Sequence, residues 1–334
     1  MASIVDKAFH NLFKHEIYCD NSETLRAHNH LNQIMDQIHQ LADTKEDLPK
    51  LDKDHWVVVN DYGMNTHISP IKSIEVVLCM GWLNEGLDYN KDSYKVRAGD
   101  KSGRFVHMRD QFHWLSPTMM NKNLAEHLKT LKNAKNVTVD VNGGVTVREK
   151  GYLWIYNICL GFFLKGVNDG EVYYLVPNGK NHWHPIQPNQ IAARLNHLNK
   201  HHGSFLIDLI RCLKYWCREH LLPKIPNPLL EAIVFDYCDS KLTPLSEFSD
   251  LDISGVLKAI HKNILREYID PIGSRGDLNS LSERDRNTIS KQAFSDYLKA
   301  DNARHFEQTG KVQRAVDKWS EVFGREFKKY SAYH

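Results

Sequence analysis

The sequence predicts a two-lobed α+β fold, with a mixed sheet and flanking helices over residues 1–188 and a helical lobe over 189–334. Three observations predict it. Short apolar and β-branched runs (56–59, 74–80, 137–148, 153–163) are confined to the first half, bounded by polar residues. From about Asn189 onward apolar residues recur at helical spacing instead. A chain of 334 residues is long enough to build two cores.

The elements follow in order. Ile4 to Phe13 carries Ile4, Val5, Ala8, Leu12 and Phe13 on one helical face. A second helix is expected over Ser22–Leu41, with Asn21 or Ser22 as N-cap. Residues 44–54 are charged, contain Pro49 and read as a loop. Trp56–Val59 and Ile74–Met80 read as strands, and the Gly-, Asp- and Lys-rich residues 84–104 as an excursion between elements. An amphipathic helix is expected over Asn121–Asn133. Asn142-Gly143 supplies the positive φ values of a tight hairpin between 137–141 and 145–148. The apolar run Leu153–Phe163 reads as a central strand. Helices then follow over 190–201, 205–222, 229–238, 251–268, 282–307 and 311–323. Pro223, Pro226 and Pro228 punctuate the second and third of these.

Composition narrows the partners. With 43 basic and 41 acidic residues the net charge is +2, too balanced for a whole-protein attraction to nucleic acid or anionic lipid. Lys129, Lys132 and Lys135, and Arg325, Lys328 and Lys329, read as solvated faces, since no aromatic stacking pattern accompanies them. No apolar run approaches the roughly 20 residues that span a bilayer, and the first residues lack the basic and apolar regions of a signal peptide. The six cysteines show no metal-knuckle spacing. A cytoplasmic protein with neither membrane nor nucleic acid as partner is expected. His182, His184, His197, His201 and His202 are expected at the surface, and Trp82, Trp114, Trp154 and Trp183 in the core or between lobes.

Several stretches resemble the CD-NTase family, the bacterial relatives of cGAS and oligoadenylate synthase within the polymerase beta-like superfamily. Leu209-Ile-Arg-Cys-Leu-Lys-Tyr-Trp216 is similar to the family's spine helix, and Asn227-Pro-Leu-Leu-Glu231 to the start of the next. Tyr174-Leu-Val-Pro177, Trp183 and Pro188-Asn189 resemble the stretch that joins the lobes. Ile269-Asp-Pro271, Asn279, Ala300, Ala303, Glu307, Ala315, Trp319 and Phe323-Gly324 resemble the tail. The order and spacing of these pieces, more than any one of them, carry the resemblance. It implies a nucleotidyltransferase fold with a cleft between the lobes.

The resemblance also implies a site. Such enzymes hold two Mg²⁺ ions on three carboxylates, with a Gly-Ser loop letting the backbone approach the phosphates. Residues 60–75 align without a gap through Thr66 and Pro70. This places Asn60 and Asp61 on the Gly-Ser pair, Ser73 and Glu75 on the first two aspartates, and Asn157 on the third. Glu75 is then the one carboxylate left and the one candidate metal ligand. Mg²⁺ would matter only if nucleotide chemistry remains. The resemblance further assigns Thr66, Arg211, Lys214 and Asn227 to nucleotide binding. Asn227 reads equally as an N-cap for a helix beginning at Pro228, the favoured reading.

The resulting expectation is a pseudoenzyme: a nucleotide-binding or regulatory partner in bacterial antiphage signalling. Its ligand would be a nucleotide or cyclic oligonucleotide, or its partner a protein of the same defence operon. The alternatives are an active enzyme making a cyclic or linear oligonucleotide messenger from NTPs, and a structural subunit that binds no nucleotide.

Overall fold

The computed structural model describes residues 3–83, 86–140, 143–165, 172–178, 181–246, 250–271 and 276–332. Asn142, expected in the hairpin turn, lies outside them. In chain order, α1 (Ile4–Leu12) runs into a π turn and is followed by α2 (Asn21–Thr44), β1 (Trp56–Val59), the single turn α3 (Asn60–Gly63) and β2 (Ser73–Trp82). A hairpin of β3 (Leu87–Asn90) and β4 (Lys95–Ala98) precedes α4 (Pro117–Leu128). The remaining strands are β5 (Ala134–Val139), β6 (Val145–Glu149), β7 (Ile155–Lys165), β8 (Val172–Pro177) and β9 (Trp183–Ile186). Then come α5 (Pro188–His201), α6 (Leu206–Glu219), α7 (Asn227–Asp239), α8 (Asp250–Asn263), α9 (Glu283–Gln308), α10 (Val312–Phe323) and α11 (Arg325–Ala332).

The chain divides into two compact units. One, the sheet unit, holds Asp20–Gly63 and Ile71–Pro188. The other, the helical unit, holds Asn189–His334 together with Met1–Cys19 and Met64–Pro70. The expected boundary near residue 188 is one edge of this division. The two additional segments, expected with the sheet, pack with the helices.

In the sheet unit the strands are ordered β1-β2-β7-β6-β5, with β8 against β7 and β9 against β8. β2 and β7 are parallel and the other pairs antiparallel. Central parallel strands are covered on both faces, which is why β2 is apolar almost throughout. Side chains alternate between faces, so Ile74, Val76 and Leu78 lie on one side and Ser73, Glu75 and Val77 on the other. Helix α2 covers the first side: Nδ1 of its His30 lies 2.7 Å from Tyr156 Oη on β7. The N-cap of α2 is Asp20, whose carboxylate accepts from Ser22 N at 2.6 Å, not the expected Asn21 or Ser22. At its far end Arg104 Nη1 donates to the carbonyls of Ala42 (2.7 Å), Lys45 (2.9 Å) and Leu48 (3.1 Å). Ala42 lies in the last turn of α2, where carbonyls lack an intrahelical partner, and Lys45 and Leu48 follow the helix.

The helical unit is built on one continuous apolar core that includes Trp216, Trp319, Phe323 and Phe327. Helix α1 opens with a capping box, Asp6 N to Ser3 Oγ at 3.0 Å and Ser3 N to Asp6 Oδ2 at 2.7 Å. Its Phe9 sits edge-on to Trp319, Phe323 and Phe327 at ring separations of 5.1, 5.6 and 4.8 Å. That packing is why the first residues join this unit. A buried polar centre lies alongside. Asp296, fully buried, accepts from Trp216 Nε1 (2.9 Å), Gln292 Nε2 (2.7 Å) and Lys299 Nζ (2.7 Å), and His220 Nε2 lies 3.0 Å away.

Three smaller expectations change. His202 is buried, accepting from Leu245 N at 3.1 Å, because α5 ends there and the chain folds back over it. Trp82 ends β2 at its exposed edge and is 43% exposed, outside any core. Helix α4 starts at Pro117, capped by Ser116, and ends at Leu128, earlier than expected. Lys129, Lys328 and Lys329 form exposed ion pairs with Glu126, Asp317 and Glu326. The cysteines are all unbridged. Among the described residues no helix is long and apolar enough to cross a membrane.

Candidate functional site

The sheet unit carries half of the predicted set. β1 turns abruptly into α3 at Asn60, which adopts φ +57°. This left-handed conformation favours glycine, and asparagine is among the few other residues that accept it. The turn closes tightly at Gly63, where an added Cβ would lie 2.1 Å from Val58 O. Asp61 follows Asn60 in this turn and is partly buried.

Ser73 and Glu75 share a face of β2, and the β2–β7 register pairs Glu75 with Asn157. The three predicted positions therefore meet on one face of two adjacent strands. Their polar atoms are engaged locally. Asn60 Nδ2 donates to Glu75 Oε2. Thr146 Oγ1, from the register partner of Asn157 on β6, donates to Asn157 Oδ1 at 2.9 Å. Next along the same face, the Cys159 thiol is pushed up to about 12 by burial and by the charge of Glu75, so it is no nucleophile at neutral pH. Farther on the face becomes apolar, through Val77, Cys79, Phe163 and Val176.

This donor set does not fit two Mg²⁺ ions. Each such ion takes hard oxygen ligands and is held by carboxylates together with substrate phosphates. Here one carboxylate stands among two neutral groups, and an amide already bonds to it. Among the described residues no group of three or more His, Cys, Asp or Glu side chains is placed to hold a metal ion.

The helical unit carries the other half. Arg211, Lys214 and Arg218 recur at helical spacing on one face of α6. All three reach segment 64–70. Arg211 Nη2 donates to Asn65 O (2.8 Å) and Oδ1 (3.1 Å), and its Nη1 to Asp208 (3.2 Å). Lys214 Nζ donates to Thr66 Oγ1 at 2.7 Å and lies 3.4 Å from Glu231 Oε1, while Thr66 Oγ1 donates to Glu231 at 3.3 Å. Arg218 donates to Ser69 O and to Glu16 O, the latter at 3.2 Å. Thr66 is fully buried, and the Lys214 and Glu231 side chains are 9% and 5% exposed. A buried ammonium needs such a partner.

Asn227 is a correction. It is the first residue of α7 and makes no side-chain cap. The helix begins one residue earlier than expected because Pro226 O accepts from both Leu229 N and Leu230 N at 3.0 Å. Glu231, Thr146 and Arg218 were not anticipated in these roles. Glu231 had a signal, a carboxylate among apolar neighbours in the stretch Leu229–Phe235.

No protein-family model matches the chain. Over 331 residues, 98% of each sequence, it is 24% identical to a probable cyclic nucleotide synthase of Bacillus cereus (strain VD146). Among solved structures it is similar to CdnC of E. coli MS115-1, both with ATP and in complex with HORMA-deltaN. The TM-score is 0.66 in each case at 13% identity, covering 96% of this chain and 98% of that one. It is likewise similar to apo DncV of Vibrio cholerae, with TM-score 0.65, 12% identity and 97% of each chain covered. CdnC and DncV are CD-NTases. The sheet order, the parallel β2–β7 pair, the helical unit and these full-length likenesses converge: the chain has the CD-NTase fold.

Proposed function

We propose that this protein is a catalytically degenerate CD-NTase-like protein that acts in the cytoplasm as a nucleotide-binding or regulatory partner in bacterial antiphage signalling. One observation carries the reading: the paired positions of β2 and β7 present Ser73, Glu75 and Asn157, with the single carboxylate already bonded to Asn60. Metal-assisted attack on a triphosphate needs concentrated negative charge at that point. CdnC has been solved with ATP and with HORMA-deltaN, which supports nucleotides and proteins as the partner classes to try.

The second reading is an active synthase of a cyclic or linear oligonucleotide. The full-length likeness to a probable cyclic nucleotide synthase favours it. Incubation with labelled NTPs and Mg²⁺ or Mn²⁺ separates the two. No linked product is expected; a product that disappears in Glu75→Ala would overturn the proposal. Thermal unfolding with ATP, GTP and cyclic dinucleotides tests the binding role, since a ligand that binds the native state raises stability by mass action. No shift at millimolar ligand would favour the purely structural subunit.

A further inference from the structure

The other face of the sheet unit holds an unassigned cavity of about 360 Å³. One stripe of α2 supplies Met35, Asp36, His39 and Asp43, and the approach to β1 supplies Lys53 and Trp56. Trp56 pairs with Leu78, three residues beyond Glu75, so strand alternation places it on the sheet face opposite Ser73, Glu75 and Asn157.

His39 is the decisive group. Only 7% of it is exposed, it lines the cavity, and neither ring nitrogen meets a hydrogen-bond partner within the protein. Buried polar atoms are almost always paired, so two on one ring are a strong departure. Burial, reinforced by the Lys53 charge, holds the imidazole below its ordinary range. It is therefore neutral at pH 7, with one nitrogen to donate and one to accept.

The surroundings restrict what can pair with it. Asp43 is held by Lys53 at 2.6 Å, which leaves Asp36 as the unbalanced charge on an exposed rim. The lining is net negative and disfavours phosphate. Trp56 offers a partly buried indole and Met35 a buried thioether to the same lining, both suited to a flat aromatic ring. The volume is that of a small-molecule site.

We propose that this cavity binds a phosphate-free, amino-substituted nitrogen heterocycle of nucleoside size, with His39 pairing its ring edge, Asp36 its amino group and Trp56 its face. The site is separate from the Glu75 face, and its occupancy is independent of whether that face is catalytic.

Calorimetry of the full chain with adenosine, guanosine and cytidine tests this. At least one is expected to bind with Kd below about 1 mM, and ATP no better than adenosine. His39→Leu is expected to weaken binding about tenfold, the worth of one hydrogen bond. Asp36→Lys, an exposed change that leaves the buried packing alone, is expected to weaken it as well. On saturation the His39 ring nitrogens should shift in long-range ¹H–¹⁵N spectra, and Glu75→Ala should bind normally. Absence of heat and of a His39 shift for all three nucleosides at about 5 mM overturns the proposal. So does binding undiminished in both variants, or a crystal structure in which ordered water alone satisfies both ring nitrogens.

Discussion

Each unit sets a histidine beside a buried carboxylate, and the two pairs behave oppositely. In the helical unit, burial alone would raise Asp296, but hydrogen bonds from His220, Lys299, Gln292 and Trp216 outweigh it and hold the carboxyl down at about 2. The same bond to Asp296 raises His220 against its own burial. In the sheet unit, His30 Nε2 lies 2.8 Å from Glu149 Oε2, yet burial dominates both. It lowers His30 and raises Glu149, so each is driven toward its neutral form. The difference is the number of donors. Asp296 has four neighbouring donors, whereas Glu149 has one imidazole that is itself shared with Tyr156. Proximity of opposite groups does not make an ion pair; saturation of the carboxylate does.

The largest expected effect comes from breaking the saturated centre. Asp296→Asn should cost about 3–5 kcal/mol in denaturant unfolding, because His220 and Lys299 then face an amide in place of a charge. The sheet-unit pair should respond less. His30→Leu alone should cost about 1–3 kcal/mol, the penalty of a lost buried partner. Replacing both His30 and Glu149 by Leu should be neutral or stabilising, which a saturated pair would not tolerate. A double variant as damaging as Asp296→Asn would erase the distinction.

The smallest effect is in pH dependence, and its sign differs between units. The folded pKa of His220 is raised, so its contribution is complete below about pH 6.5 and lost as pH rises through the folded value. The folded pKa of His39 is depressed, so stability is lost as pH falls below about 6.5 through the folded value. Subtracting wild-type from His220→Asn and His39→Asn stabilities between about pH 5 and 9 should give slopes of opposite sign. Equal signs would show that the two environments are alike.

Much of the site was legible because strand alternation is local. Once Ser73 and Glu75 were placed two apart on a strand, their shared face followed. The arrival of Asn157 beside Glu75 needed the β2–β7 register, which only tertiary structure fixes. The Lys214–Thr66 bond spans 148 positions, and nothing near either residue announces it. The resemblance to relatives assigns Lys214 and Arg211 to nucleotide binding; what they bond to within the protein is the segment 64–70. The β3–β4 hairpin was missed because Gly, Asp and Lys are poor strand formers and its pairing is short. Its counterpart β9 was missed because Pro185 interrupts a four-residue run.

The helical unit draws on three separate stretches of the chain, one of them only seven residues long, Met64–Pro70. Heredity works on contiguous sequence, so this unit is not a module that recombination can move whole. A crossover at residue 188 would deliver α6 without Thr66 and the Trp319 face without Phe9.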